Sequence, residues 1–439
     1  LRSRVDRLRW KVIDAPMEVC IECARYLTES MKKNWDRHPL ERMSLAFEHI
    51  LNNITPIIRD DEIIVGCRTS KLKGAPLFPE NKARWIEGDL ETFGDRPIQT
   101  ALITEMEKAE LRNDILPFWK GKTVEDVMES RMPEDVAEDM DKYIFTMMLE
   151  ITYGIGHFTM NHVKVLSGGM RGVINDAREK LNRLPENDRE RRLFYEAVIR
   201  SCNAVVMFAR RYSDLAMTMA AQEKDTDRKK ELQDISRVCA RVPEHPAETF
   251  HEAVQSMYFV HLVSQIESGG NSISLGRIDQ VLYPYYKNDR DAGKIKPEQA
   301  RELLALMFIK TNEIWNVLEE AFIPGGEGTQ GKTTQNVTVG GIGTDGKDAT
   351  NELSYIGLDA YGDVRTVQPN FGVRLSSSAP EELLRKAADY SRDGVLLHMF
   401  NDDVIVKTLM KSGHTIEDAR DYGVVGCLEP NAQGKTFGS

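Results

Sequence analysis

Apolar residues recur along much of this chain at the three- to four-residue spacing that is typical of helices with one buried face. Between residues 100 and 148 the charges are dense, and they fit the solvated faces of further helices. The longest helical patterns lie at residues 5–59, 163–184, 189–222, 246–264 and 297–317.

Short runs rich in Val and Ile predict strands between these helices. One run, at residues 62–66, follows an acidic turn near the N-terminus. In the last third of the chain strands alternate with helices, which favours parallel strands wrapped by helices and therefore an α/β barrel as the fold class. The strands predicted there lie at residues 335–341, 366–375, 396–400 and 424–425.

The chemically most suggestive stretch is Gly-Val-Val-Gly-Cys-Leu-Glu-Pro at residues 423–430. Gly426 permits a bend, and Pro430 is expected to end strand pairing because it lacks a backbone donor. If the backbone is extended, Cys427 and Glu429 face one space while Leu428 turns into the core. A lone cysteine is more often a small buried hydrophobe, but the bend, the proline and the carboxylate together favour a functional thiol.

Two further segments carry polar residues in apolar surroundings. Residues 154–159 place two glycines before His157, although a histidine satisfied inside the core is an equally good interpretation of that residue taken alone. Residues 272–280 read Ser-x-Ser-x-Gly-Arg-x-Asp-Gln, in which Arg277 and Asp279 are expected to hold the loop through charge-assisted hydrogen bonds. Asn271 and Ser272, rather than Arg277 and Asp279, are expected to face a site.

The Gly-Cys-x-Glu-Pro sequence at residues 426–430 resembles the cysteine loop of glycyl radical enzymes, in the glycerol dehydratase, choline trimethylamine-lyase and hydroxyproline dehydratase branch. The segment at residues 272–280 resembles a second motif of the same family. The resemblance extends over residues 1–439 and implies the cysteine-bearing half of a ten-stranded α/β barrel. It implies a helical shell over about residues 1–150, barrel elements over about residues 151–439, and a glycine radical domain outside this chain.

The resemblance also implies a chemistry for the loop. Cys427 would become a thiyl radical that takes a hydrogen atom from the substrate, while Glu429 moves a proton. The expected reaction is elimination of water or an amine from a diol, polyol or amino alcohol. An arylacetate-type decarboxylase, a hydroxysulfonate C–S lyase, and an inactive paralogue that acts as a binding protein are the alternatives.

Four pocket residues follow from the same resemblance. His157, Asn271 and Ser272 would hold substrate hydroxyls or the leaving group. Asn271 stands where many dehydratases of the family have histidine, so one ionisable group is absent. Thr334 stands where a bulky aromatic residue is usual, which predicts a roomier pocket and a substrate larger than glycerol.

Composition narrows the partners. The 439 residues carry a net charge of -11, which argues against nucleic acid or an anionic membrane as a partner, and no apolar run is long enough to span a bilayer. Six cysteines do not form a disulfide framework in this length, and a cytoplasmic location, possibly inside a bacterial microcompartment, is the default expectation. The resemblance implies no bound cofactor and no metal, a radical S-adenosylmethionine activase as a partner, a small-molecule substrate, and a homodimer.

Overall fold

The computed structural model describes residues 3–142, 144, 154–320 and 332–435. Helices dominate this part of the chain, and none of the described helices has the length and apolar character needed to cross a membrane. The longer ones are Arg4–Asp14, Glu22–Asn34, Pro39–Asn53, His162–Arg183, Arg189–Gln222, Thr226–Arg241, Phe250–Glu267, Pro297–Thr311, Glu352–Val364, Glu381–Arg392 and Asp402–Lys411.

A small parallel sheet lies in the N-terminal third. Its strands are β1 (Met17–Cys20), β2 (Gly74–Pro76) and β3 (Ala101–Leu102), in the order β2-β1-β3. The strand predicted at residues 62–66 is wrong: this segment is buried but irregular. The side-chain amide of Gln255 replaces a neighbouring strand there, because it donates to the carbonyl of Val65 (2.8 Å) and accepts from its N–H (2.9 Å).

The main sheet confirms the predicted α/β fold. Four parallel strands lie in the order β4-β5-β6-β7, and helices connect β5 to β6 and β6 to β7. Three of these strands were predicted, with bounds shifted by a few residues: β5 (Asn336–Gly340), β6 (Asn370–Leu375) and β7 (Leu397–Asn401). The short strand β4 (Gly276–Arg277) lies in a segment that was expected to be a loop.

The core includes apolar residues of this sheet and of the helix Phe250–Glu267, whose residues are almost all buried. Such a helix has no solvated face, which explains why its sequence shows apolar residues all around its circumference. Thr249 and Glu252 form a capping box at its start, so the helix begins four residues later than residue 246, where the sequence pattern placed it.

The chain then forms an antiparallel hairpin of β8 (Tyr422–Val425) and β9 (Glu429–Ala432). Val424 lies over β5, where its N–H donates to Thr338 Oγ1 (3.3 Å), while Asn336 Nδ2 donates to Gly426 O (2.7 Å). β8 therefore runs antiparallel to β5, and the turn of the hairpin lies toward the amino-terminal ends of the parallel strands.

Two expectations about this hairpin are wrong. Pro430 does not end the pairing, since it lies opposite Val424 inside the ladder. The N–H of Val424 points away from β9 and donates to Thr338. The backbones of Val424 and Pro430 therefore exchange no hydrogen bonds with each other, and the missing N–H of the proline does not interrupt the ladder. Leu428 does not enter the core: it lies in the turn, 57% exposed. The turn breaks the two-residue alternation on which the prediction for Leu428 depended.

Candidate active site

The turn of the hairpin comprises Gly426, Cys427 and Leu428, since β8 and β9 pair up to Val425 and Glu429. Gly426 has φ of 57°, a left-handed conformation that glycine adopts without steric cost. A side chain at Gly426 would overlap the carboxylate of Glu429, which folds back over the turn. Glycine is thus required here for two separate reasons.

The carboxylate of Glu429 has two distinct neighbours. Its Oε2 accepts a hydrogen bond from the N–H of Leu428 (2.8 Å), which ties the carboxylate to the turn. Its Oε1 lies 4.0 Å from His157 Nε2, and the two side chains are about one-third exposed, 37% and 33% respectively. The structure therefore places His157 beside the cysteine turn.

The remaining predicted pocket residues lie in a row with His157 at the amino-terminal ends of neighbouring strands. The N–H of His157 donates to Asn271 O (2.9 Å), and the N–H of Ser272 donates to Thr333 O (2.8 Å). Asn271 Oδ1 in turn accepts from Ser272 Oγ (3.3 Å). Three segments that are distant in sequence, at residues 157, 271–272 and 333–334, are therefore linked side by side. We call them the row of strand entries.

This row has an unusual backbone. Among the described residues, six that are not glycine have positive φ, and three of these are His157 (57°), Ser272 (65°) and Thr334 (54°). Each such conformation costs about 1–3 kcal/mol and persists only where the surroundings enforce it. Strain of this kind is concentrated at functional sites, so the row is a candidate site on backbone evidence as well.

Burial divides these residues into two layers. Cys427 is exposed and His157, Glu429 and Asn271 are partly exposed, whereas Ser272 and Thr334 are buried, with 3% and 8% exposure. Within the described ranges the turn is open to solvent. The side chain of Thr334 lies beneath the row.

Asn336 was not recognised from the sequence, although it contacts the turn directly. Its Nδ2 donates to Gly426 O (2.7 Å) and Thr334 O (3.2 Å), and the residue is 2% exposed. It joins the cysteine turn to the row of strand entries. The available signal was its position two residues after Thr334 in a strand, which places a polar side chain on the face opposite Val337.

The chain after β9 is fixed by two further residues. Thr159 Oγ1 accepts from the N–H of Gly434 (2.9 Å), and Gln433 Oε1 accepts from the N–H of Arg277 (2.6 Å). These bonds hold the outgoing arm of the hairpin against the entry that carries His157 and against β4.

Two buried arginines hold the root of the hairpin at the opposite ends of the strands. Arg374 forms a bidentate ion pair with Asp402 (2.8 and 2.9 Å) and donates to Tyr422 O (2.7 Å). Arg277 donates to Asp421 Oδ1 (2.8 Å), one residue before β8. The structural role expected for Arg277 is thus present in the structure. Asp279 also has the contacts expected of a structural residue, since it accepts from the N–H of Gly340 (2.7 Å) and from Ser354.

A histidine lies on the neighbouring strand β7. On β7, His398 lies in register with Gly372. Burial and the nearby cation of Lys332 lower the pKa of His398, and its Nδ1 is buried without a hydrogen-bond partner among the described residues.

Chemically, the turn presents a thiol, a carboxylate and an imidazole, backed by hydroxyl and amide groups. Such a set can exchange hydrogen atoms and protons with a small polar molecule. In the described ranges no group of three or more His, Cys, Asp or Glu side chains could hold a metal ion.

Comparison with known proteins identifies the class. The family model described as pyruvate formate lyase-like matches residues 1–439, and the chain therefore belongs to this family, the glycyl radical enzymes. It is 32% identical over 443 residues to a (2S)-3-sulfopropanediol dehydratase of Klebsiella oxytoca, covering 99% of this chain and 54% of that protein. It is 33% identical over 440 residues to a trans-4-hydroxy-L-proline dehydratase of Clostridioides difficile, with 99% and 55% covered.

Solved structures agree with this assignment. The glycerol-bound B12-independent glycerol dehydratase of Clostridium butyricum matches with a TM-score of 0.94 and 37% identity, covering 98% of this chain and 55% of that one. A structure of 1,2-propanediol dehydration in Roseburia inulinivorans matches with a TM-score of 0.96 and 36% identity, with 99% and 52% covered. The chain spans about half the length of the curated relatives it matches.

Proposed function

We propose that this chain is the cysteine-bearing part of a glycyl radical lyase that eliminates water or an amine from a small hydroxylated substrate. The observation that carries the proposal is the turn at Cys427, where Glu429 folds back over the thiol-bearing loop and faces His157 at 4.0 Å. Residues 1–439 would form one pyruvate formate-lyase-like domain, helical at first and barrel-like afterwards.

The proposed mechanism uses Cys427 and Glu429 in turn. A radical stored on a glycine outside this chain would take the hydrogen atom of the Cys427 thiol and leave a thiyl radical on the sulfur. The sulfur of Cys427 then takes a hydrogen atom from a hydroxyl-bearing carbon of the substrate. Glu429 accepts the hydroxyl proton through Oε1, the oxygen that faces His157, while Oε2 stays bonded to the turn. The leaving group on the adjacent carbon takes this proton and departs as water or amine. Cys427 then returns its hydrogen atom to the substrate carbon radical, and the sulfur regains a hydrogen atom from the glycine, which restores the stored radical.

In this proposal His157 and Asn271 contact the substrate from the partly exposed layer. His157 Nε2 would hold the leaving group; its 4.0 Å separation from Glu429 Oε1, which a water or hydroxyl can bridge, supports this role. Ser272 and Thr334 support this layer from beneath, and Thr334 sets how much room remains where an aromatic side chain is usual.

The test uses the full-length protein, activated without oxygen by a radical S-adenosylmethionine activase. Electron paramagnetic resonance should detect the stored radical, and product analysis with diols, choline, hydroxyproline, isethionate and arylacetates should identify the substrate. Cys427→Ser should abolish turnover while the glycyl signal remains. Substantial turnover by Cys427→Ser or by Glu429→Gln contradicts the proposed roles.

Carbon–sulfur cleavage is the second candidate, because isethionate sulfite-lyases are among the relatives, at 33% identity over 437 residues for one from Nitratidesulfovibrio vulgaris. A sulfonate or carboxylate substrate favours a pair of arginines along the cavity. Among the described residues, the buried Arg277 and Arg374 are bonded to Asp421 and Asp402 at the root of the hairpin. Release of sulfite from isethionate decides between the two candidates.

The proposed partners are the activase and a second copy of this chain. An Arg-Val-x-Gly-Tyr-like segment near the C-terminus of the full-length protein would mark the glycine that is activated. A full-length protein that lacks such a segment and gives no radical signal would instead be an inactive paralogue that acts by binding.

A further inference from the structure

A chain of buried polar side chains lies behind the row of strand entries, on the side of the sheet away from the cysteine turn. His261 Nε2 is 2.7 Å from Gln335 Oε1, and Gln335 Nε2 donates to Gln368 Oε1 (3.1 Å). Gln368 Oε1 also accepts from the N–H of Thr333 (2.9 Å). His261, Gln335 and Gln368 are 0% exposed, and Thr333 is 1% exposed.

The neighbours of this chain fix the direction of every hydrogen bond in it. The amide nitrogen of Gln335 faces two acceptors, Gln368 Oε1 and Thr311 O (3.0 Å), so Gln335 Oε1 must face His261. His261 is therefore the donor, with its proton on Nε2. In this tautomer the 3.4 Å approach of Gln265 Nε2 to His261 Nε2 joins two donors, and Gln265 Nε2 donates to Ile273 O (3.3 Å).

The direction of Gln368 is fixed in the same way. Its Nε2 donates to Thr311 O (3.2 Å) and Ile314 O (3.1 Å), which leaves its Oε1 facing Thr333. The N–H and the hydroxyl of Thr333 both donate to this oxygen, at 2.9 and 3.2 Å. Burial lowers the pKa of His261 to about 4, so the neutral donor persists across the physiological range.

The end of the chain reaches the strained backbone of the site. Thr333 O accepts the N–H of Ser272 (2.8 Å), and Thr333 precedes Thr334, so both left-handed residues are attached to this one peptide. A left-handed conformation at a serine or threonine needs surroundings that hold it in place. The side chains that run from His261 to Thr333 are such surroundings.

We propose that His261 is a positioning residue of the site: through Gln335 and Gln368 it holds residue Thr333 and thereby the left-handed backbone of Ser272 and Thr334. The importance of this role for catalysis rests on the proposed function, whereas the role itself is a property of the folded chain. His261 acts from the helix Phe250–Glu267, and the chain of bonds rather than direct contact with substrate carries its effect.

The test compares three substitutions of His261 in the full-length protein. His261→Gln retains a donor that reaches Gln335 Oε1, His261→Asn retains a polar group that is too short, and His261→Leu removes the donor. Hydrogen exchange resolved to single amides is measured before activation. The Leu and Asn variants should accelerate exchange at Ser272 and Thr333 by about tenfold or more, as loss of a buried hydrogen bond predicts, and the Gln variant should not.

The N–H of Gly340, which donates to Asp279 Oδ2 (2.7 Å) at the opposite end of β5, is the reference for global loosening. Exchange that is unchanged at Ser272 and Thr333 in the Leu and Asn variants overturns the proposal. Acceleration that is equal at Gly340, or equal in all three variants, overturns it as well. Because two of the variants keep a polar side chain, the comparison survives a failure of His261→Leu to fold.

Turnover gives the second readout. With a substrate that the wild-type enzyme converts, the Leu and Asn variants should raise KM and lower kcat, and the Gln variant should restore both. If the wild-type enzyme converts none of the compounds in the panel, the proposed function fails. The exchange measurement then still decides whether His261 positions Ser272 and Thr334.

Discussion

Asn336 offers the sharpest test of how the cysteine turn is held. Its side chain donates to Gly426 O at 2.7 Å and to Thr334 O at 3.2 Å, and it is 2% exposed. Asn336→Leu keeps nearly the same shape but removes both donors. Two carbonyl oxygens, one in the turn and one in the row of strand entries, are then left without this partner.

The expected loss follows from these two bonds. A buried acceptor that loses its partner costs roughly 1–3 kcal/mol, so Asn336→Leu should lower the free energy of unfolding by roughly 2–6 kcal/mol. The rate is expected to fall as well. A displacement of the sulfur by about 1 Å is sufficient to slow a reaction by roughly a hundredfold.

The assay pairs urea unfolding with kcat of the activated full-length protein on a substrate that it converts. Ser213→Ala is the control, because Ser213 Oγ donates to Ser236 O (2.8 Å) in a buried helical contact far along the chain from the turn. The control should lose about 1 kcal/mol of stability and keep its kcat. If Asn336→Leu is destabilised as expected but turns over like the wild type, then Asn336 does not set the position of the thiol.

Three further substitutions test other parts of the structure. Gly426→Ala places a methyl group where the Glu429 carboxylate lies and adds about 1–2 kcal/mol of backbone strain, so turnover should fall while a thiol reagent still alkylates the loop; unchanged turnover contradicts the geometry. Arg374→Met leaves the fully buried Asp402 without its cation and should cost roughly 3–5 kcal/mol in urea unfolding, whereas a loss below about 1 kcal/mol would show that the pair contributes little. Burial raises the pKa of Glu80 from 4.5 to about 8, so the unfolded chain loses this proton first and stability should fall by roughly 3–5 kcal/mol between about pH 4.5 and pH 8. Glu80→Gln should remove that part of the pH dependence and stabilise the protein at pH 8 relative to the wild type. If the wild type and Glu80→Gln give the same unfolding curve at pH 5 and again at pH 8, burial of Glu80 does not cause the pH dependence.

Local patterns were sufficient to predict three of the four strands of the main sheet. The runs that became β5, β6 and β7 lie between helices, and each of them pairs in register with its neighbour in the sheet. The apolar run at residues 62–66 has the same composition but is not a strand, because the side chain of Gln255, about 190 positions later, occupies both backbone groups of Val65. Composition does not contain that information.

In the candidate site, too, residues with a local sequence signal were predicted, and residues that act through distant contacts were not. Cys427 and Glu429 were found because their neighbours Gly426 and Pro430 are unusual within one short segment. Asn336 contributes a bond across 90 positions of sequence, and nothing in its immediate neighbours distinguishes it from a polar residue on an ordinary strand. The turn of Leu428 toward solvent likewise follows from hairpin geometry, which the period-two rule does not describe.

The hairpin is fastened to the sheet at both ends, at Arg374 near its root and at Asn336 near its turn. The depth of the sulfur is therefore determined by the length of β5, whereas the residues proposed to bind the substrate lie on separate strand entries. If the proposed function holds, exchanges at those entries would change which compound is accepted over evolutionary time without relocating the sulfur. An insertion into one arm of the hairpin, in contrast, would shift its residues by about 3.3 Å and reverse the direction of every side chain beyond it.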